Sequence, residues 1–294
     1  APAAAGRGAS RAGAAALALA LALTGAATAR DYFVRWAGDP GTPLAFDADK
    51  QALGAFYRRE VAAGAFVYLS TEMMDHPTVV VAAGRRPSGF DPALGAAMPA
   101  DPATSAAFAL LPGEDGTALA RSGWRGPRAA GTPPAEVMVF ALEPGATAAA
   151  APVPGSLQDR AALPFAPHFT LVGARWPERL PAGGSGTVEL VWDVLRPTDT
   201  PLHTAVQLQG ADGAGLGHGD GPPLGGSYPT DRWRVGERIV SRHTLRVDAD
   251  APAGPAALRV GWYAPPFGDR PFAPLVLDTD GTTVRVIGML AVTR

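Results

Sequence analysis

The residues best suited to chemistry lie in one stretch, HGDGPPLGGSYPTDRWRVGE (218–237). It places Asp220, Tyr228, Trp233 and Glu237 within twenty positions that are otherwise rich in Gly and Pro. Aromatic rings beside carboxylates suit a sugar: rings stack on the apolar face of a pyranose and carboxylates accept bonds from its hydroxyls. These four residues are therefore the candidate carbohydrate-binding set. A loop of this length on a compact domain is either functional or packed down as an Ω-loop. The competing expectation, and the favoured one, is that Tyr228 and Trp233 plug the end of a β-sandwich. Asp220 and Glu237 are also the first candidates for the paired carboxylates of glycoside hydrolysis, although sequence alone does not pair them. His218 and Asp220 form H-x-D, but zinc sites usually take three or four protein ligands, and the other histidines have no complementary spacing. No metal site and no cofactor are expected. Ser70, Asp75 and His76 supply the residue types of a serine hydrolase. No G-x-S-x-G elbow surrounds Ser70, and a sequence-adjacent Asp and His rarely form a relay, so the expectation is a strand end followed by a polar turn. No catalytic residue is assigned.

The elements that must hold these residues fall into two groups. Residues 46–63 predict a helix, capped by Asp47 or Asp49, with Leu53, Phe56, Tyr57 and Val61 on one face. Strands are predicted at 65–71, 106–111 and 136–142, a short helix over 114–123, and Pro77 is placed to start a short helix. Strands alternating with short helices imply a small α/β layer domain at 31–143. Residues 144–160 read as a Pro/Ala linker. Beyond it, strand-like runs at 168–176, 187–195, 204–209, 238–247, 257–263 and 283–292 are separated by turn residues. They imply an antiparallel β-sandwich over 161–294. Within it, Val188, Leu190, Trp192 and Val194 should share a buried face.

Composition narrows the function classes. The formal net charge is −2 over 294 residues, which argues against nonspecific nucleic-acid binding. The absence of cysteine excludes disulfides, thiolate nucleophiles and Cys-based metal sites. Between Arg11 and Arg30 lie 18 residues without a charge, AGAAALALALALTGAATA. With basic residues before it and Ala27-Thr28-Ala29 near its end, this segment fits a cleaved signal peptide. It also fits a short membrane helix over 12–30 with a cytoplasmic basic flank at 1–11. Either reading sends residues 31–294 to the extracytoplasmic side.

The stretch from Asp220 to Glu237 (D-G-P-P-L-G-G-x-Y-P-T-x-x-W-x-x-G-E), then R-H-T-L (Arg242 to Leu245) and G-W-Y-x-P-x-x-G-D-R (Gly261 to Arg270), resembles a recurrent C-terminal β-sandwich. That domain occurs on bacterial membrane glycosyltransferases of family 39, the polyprenyl-phosphate-mannose-type group of the GT-C superfamily. ARDYFVRWA (Ala29 to Ala37), VYLST (Val67 to Thr71) and HPTV (His76 to Val79) extend the resemblance over nearly the whole chain, more weakly. Two departures stand out: Ala205-Val206-Gln207-Leu208 where F-V-H-L is frequent, and Ser241 where an Asp is common. The resemblance implies that residues 12–30 are a final membrane helix rather than a signal peptide, and that the chain lies in the bacterial cell membrane. Its partners would be upstream membrane helices of the same enzyme and a glycan or lipid-linked sugar, with no nucleic acid. Because the catalytic loops of that family lie upstream, the resemblance implies an accessory, non-catalytic role in acceptor positioning or structural support. The alternative is a secreted carbohydrate-binding β-sandwich protein.

Overall fold

The computed structural model describes residues 3–39, 41–121, 124–131, 136–142, 162–165, 167–266, 270–276 and 282–294. The linker expected at 144–160 lies outside the described residues. The chain comprises one N-terminal apolar helix, a small mixed sheet with helices, and a large curled sheet.

Helix α1 (Ala3–Arg30) continues into a π-helical turn, Asp31–Trp36. The span Gly13–Trp36 is long and apolar enough to cross a membrane, and its side chains are exposed. By length and composition the span fits a membrane anchor and a signal sequence alike.

The small unit builds on α3 (Ala48–Ala62), which buries Leu53, Phe56 and Tyr57. Val61, expected on the same face, is only partly buried. Asp47 occupies the N-cap position but makes no capping bond; its carboxylate instead accepts from Thr78 Oγ1 at 2.7 Å. Gly54 lets α3 approach α5 (Pro77–Ala83), since a β-carbon there would meet Ala82 and the Val79 carbonyl at 2.6 Å. Proline at the first turn of α5 starts that helix as the sequence suggested. Behind the helices lies a sheet in the order β1-β3-β5-β4, formed by β1 (Phe66–Leu69), β3 (Ala106–Leu110), β4 (Arg125–Ala130) and β5 (Val137–Leu142). β1 and β3 are parallel; the other pairs are antiparallel.

The large sheet follows the order β6-β7-β9-β12-β11-β10-β13-β15-β8. Its principal strands are β7 (Phe169–Arg175), β9 (Ser185–Val194), β10 (His203–Gln209), β12 (Glu237–Val247), β13 (Gly254–Ala264) and β15 (Val284–Thr293). Every one falls on a run read from the sequence. Val188, Leu190, Trp192 and Val194 are all buried, as the alternation required. Shorter strands extend the sheet: β6 (Leu163–Phe165), β8 (Arg179–Pro181), β11 (Gly215–His218) and β14 (Ala273–Pro274), the last paired with β13. Among the described residues of this sheet, only the β8–β15 pair is parallel.

Strand β2 (Gly95–Pro99) comes from the first half of the chain but pairs with β12, Gly95 opposite Ser241 and Pro99 opposite Glu237. It fills the first half of the β12 edge whose second half is taken by β11. A single buried cluster accordingly runs from Tyr68, Phe90 and Phe108 to Trp192, Trp233 and Trp262. Strand β2 and this cluster thus join residues from both sides of 144–160.

Candidate functional site

The loop between β11 and β12 is pinned along its length. Pro222 leads into a 3-10 turn, Pro223–Gly226, in which Leu224, Gly225 and Gly226 have φ of 53°, 60° and 83°. The left-handed region costs a non-glycine residue roughly 1–2 kcal/mol. Leu224 holds it because its side chain is fully buried, against the space left by Gly95. Ser227 Oγ donates to the Leu224 carbonyl at 2.7 Å and accepts from the Asp91 amide at 3.2 Å. Thr230 Oγ1 accepts from the Leu202 amide at 2.8 Å. Trp233 lies in the core: its indole N–H donates to the Tyr228 carbonyl at 2.9 Å, and its ring packs edge-on to Phe169 and Trp262.

At the end of the loop Glu237 is 0% exposed. Its carboxylate accepts from the Tyr68 hydroxyl at 2.9 Å, the Arg234 amide at 2.8 Å and Arg234 Nε at 2.8 Å. The Tyr228 hydroxyl lies 3.0 and 3.1 Å from its two oxygens and 2.9 Å from the Arg232 carbonyl. A phenol has one proton to give, and the charged carboxylate is the stronger acceptor. Arg234 Nη2 sits 2.7 Å from Oε1 but off the hydrogen-bonding axis, so it contributes charge rather than another bond. The guanidinium stacks over Phe66 and Tyr68, 4.4 and 5.0 Å from the ring centres. Burial, and then the Glu237 charge, push the Tyr68 and Tyr228 hydroxyls well above the ordinary phenol range. Both remain protonated donors. Because Phe66 and Tyr68 stand on β1 and the others on the loop, this buried ion pair fastens the small unit to the large sheet.

Tyr228, Trp233 and Glu237 are therefore closed to solvent, and as folded they offer no ring face or carboxylate to a sugar. The plug expected of Tyr228 and Trp233 matches their burial. Asp220 stands apart at the surface, with Oδ1 accepting from the Val206 amide at 2.8 Å. Burial raises its carboxyl above the usual range, opposed by that bond. Burial lowers the nearby His203, opposed by Asp220. With Glu237 inside the core, the two carboxylates do not face a common substrate. Among the described residues no His, Asp or Glu cluster could hold a metal ion.

Ser70 is an N-cap: its Oγ accepts from the Met73 amide and donates to Glu114 at 2.5 Å. Asp75 pairs with Arg86 at the surface. No relay joins them to His76. Asp75 nonetheless belongs to a cleft of about 450 Å³ that the sequence did not reveal, lined by Thr71, Asp75, Arg86, Asp91, Ser227 and Arg232 among others. One wall is the small unit and the other is the outer side of the loop. Arg232 makes no ion pair among the described residues, so its donors are free for a ligand. Its partners are far apart in sequence, which is why no spacing exposed it.

Ser241, at one of the two departures noted above, is fully buried, and its Oγ lies 3.2 Å from Nε2 of buried His243. Gln207, at the other, is only partly buried and faces His218 and Arg259 in the strand registers.

No protein-family model and no curated protein matches the chain. Among solved structures it is similar to one described as the crystal structure of the C-terminal domain of wzt, with 14% identity and a TM-score of 0.33. That match covers 48% of this chain and 82% of the other.

Proposed function

We propose that residues 31–294 form a non-catalytic, extracytoplasmic module of a bacterial membrane glycosyltransferase that uses a lipid-linked sugar donor. In this reading the apolar helix tethers the module, and the cleft between loop and small unit positions the acceptor glycan. The observation that carries it is how the loop is used. Its inner residues are consumed as fastenings between the two sheets, whereas its outer residues Ser227 and Arg232 form the wall of a polar cleft. A wall that presents the Arg232 guanidinium suits holding a hydroxylated or anionic ligand. The uncovered apolar span supports the tether.

The test is a transferase assay on membranes carrying the intact gene product. Arg232→Glu should raise the acceptor KM about tenfold, roughly 1.4 kcal/mol, with the donor KM unchanged. An unaltered acceptor KM removes the cleft from the account. The rival reading, a secreted carbohydrate-binding protein cleaved after Ala29, requires exported protein whose N-terminal residue is Arg30.

A further inference from the structure

Four aromatic rings are joined in a chain just beyond α1. Phe33 meets Tyr32 at 5.5 Å between centres, Tyr32 meets Trp36 at 4.9 Å, and Trp36 meets Phe46 at 5.3 Å. All are open to the surroundings: Phe33 is 74% exposed, Phe46 59%, Tyr32 57% and Trp36 40%. Leu44 and Val34 lie exposed beside them. The chain of rings spans two elements. The π-helical turn carries three, closed by a bond from the Ala37 amide to the Tyr32 carbonyl at 3.3 Å. A short helix, Thr42–Ala45, returns Phe46 to them, and Thr42 Oγ1 donates to the Trp36 carbonyl at 2.5 Å. Isolated exposed apolar residues are ordinary, but a contiguous aromatic patch marks an interaction surface.

We propose that these rings form a collar seated in the headgroup layer of a lipid bilayer, fixing the height of the folded body above the membrane. The proposal rests on reading residues 12–30 as a membrane span. At about 1.5 Å per residue, the uncharged stretch between Arg11 and Arg30 covers about 27 Å, close to the roughly 30 Å of hydrocarbon. The turn Asp31–Trp36, being wider than an α-helix, adds less than the about 9 Å of six α-helical residues, which is on the scale of one headgroup layer. Tyr32, Phe33 and Trp36 therefore emerge at the depth where amphipathic rings are enriched. Arg35 pairs with Asp31 at 3.1 Å, which keeps that layer's charges balanced, and Arg30 at the boundary can reach lipid phosphate. Continuity with the apolar helix favours lipid: the surface that covers the rings borders directly on the segment that the proposed function places in the bilayer.

The experiment uses the full chain reconstituted in phosphatidylcholine/phosphatidylglycerol vesicles, with part of the lipid brominated either near the headgroup or deep in the acyl chain. Tryptophan emission reads the depth. Trp124, Trp192, Trp233 and Trp262 are buried and only Trp176 is otherwise partly open, so the difference between wild type and Trp36→Phe isolates Trp36. The chain should float with the vesicles, and shallow bromine should quench more emission than deep bromine. That extra quenching should vanish in Trp36→Phe. If the chain floats but both proteins lose the same emission, the collar is wrong and the span stands. If the chain does not float, the span reading fails and the collar falls with it. Protection of Trp36 from both bromine positions, with concentration-dependent cross-linked dimers, assigns the rings to a second copy and overturns the proposal.

Discussion

Replacing Glu237 with Gln tests the fastening between the two sheets. The substitution keeps the volume but removes the charge opposite Arg234 and turns one acceptor oxygen into a donor. Breaking a buried ion pair from one side costs about 3–5 kcal/mol. Each hydrogen bond to a charged group contributes roughly 1.5–3 kcal/mol, and two phenols converge on this carboxylate. The remaining amide oxygen keeps one of them, so the terms do not add, and a loss of about 4 kcal/mol is expected. Against a total stability of about 5–15 kcal/mol this is large. Tyr68→Phe alone should cost about 2 kcal/mol. A double-mutant cycle should show coupling of about 1–2 kcal/mol with Glu237. Adding Arg234→Met to Glu237→Gln should recover part of the loss, because an apolar side chain no longer strands a charge. The assay is urea unfolding of the full chain in detergent micelles, followed by tryptophan emission and near-UV circular dichroism. Glu237→Gln should also split one transition into two, the small unit unfolding first. A loss below about 1 kcal/mol with a single unchanged transition would refute the fastening.

Three further outcomes follow from the core. Burial lowers His243 to about 4 from the ordinary 6.5 of a histidine, against an opposing bond to the Gly219 backbone. The unfolded chain therefore binds more protons between those values, so stability is full above about pH 6.5 and declines as pH falls toward about 4. The loss is about 3 kcal/mol, and thermal melts of His243→Gln should lack that slope. Trp233→Ala should destabilise by roughly 3–5 kcal/mol, the usual range for a core Trp; an unchanged melting temperature would return the ring to a ligand-binding role. Gly95→Ala places a β-carbon against the Val240 carbonyl and Leu224, so it should dislodge β2 and expose β12 to amide exchange, whereas Ala96→Gly should leave that exchange nearly unchanged.

The sequence revealed those parts of the fold whose period and composition are local. The long strands β7, β9, β10, β12, β13 and β15 alternate strongly enough to be read directly, and Pro77 marked its helix. Strand β2 was not legible, because Gly-Ala-Ala-Met-Pro has weak strand character and acquires its role only by lying against β12. The site followed the same division. The loop was conspicuous by its length and aromatic content, but whether Tyr228 and Trp233 faced in or out depends on partners such as Tyr68 and Phe169, sixty or more residues away. The cleft is long-range altogether: Asp75, Asp91 and Arg232 meet only because the loop folds over the small unit.

The proposed place of this chain, as the extracytoplasmic end of a polytopic glycosyltransferase, is tested most directly by reading the gene upstream of Ala1. The same frame should continue upstream through a run of further apolar spans, with an acidic residue on an early extracytoplasmic loop. A stop codon or an unrelated soluble frame there would contradict the account.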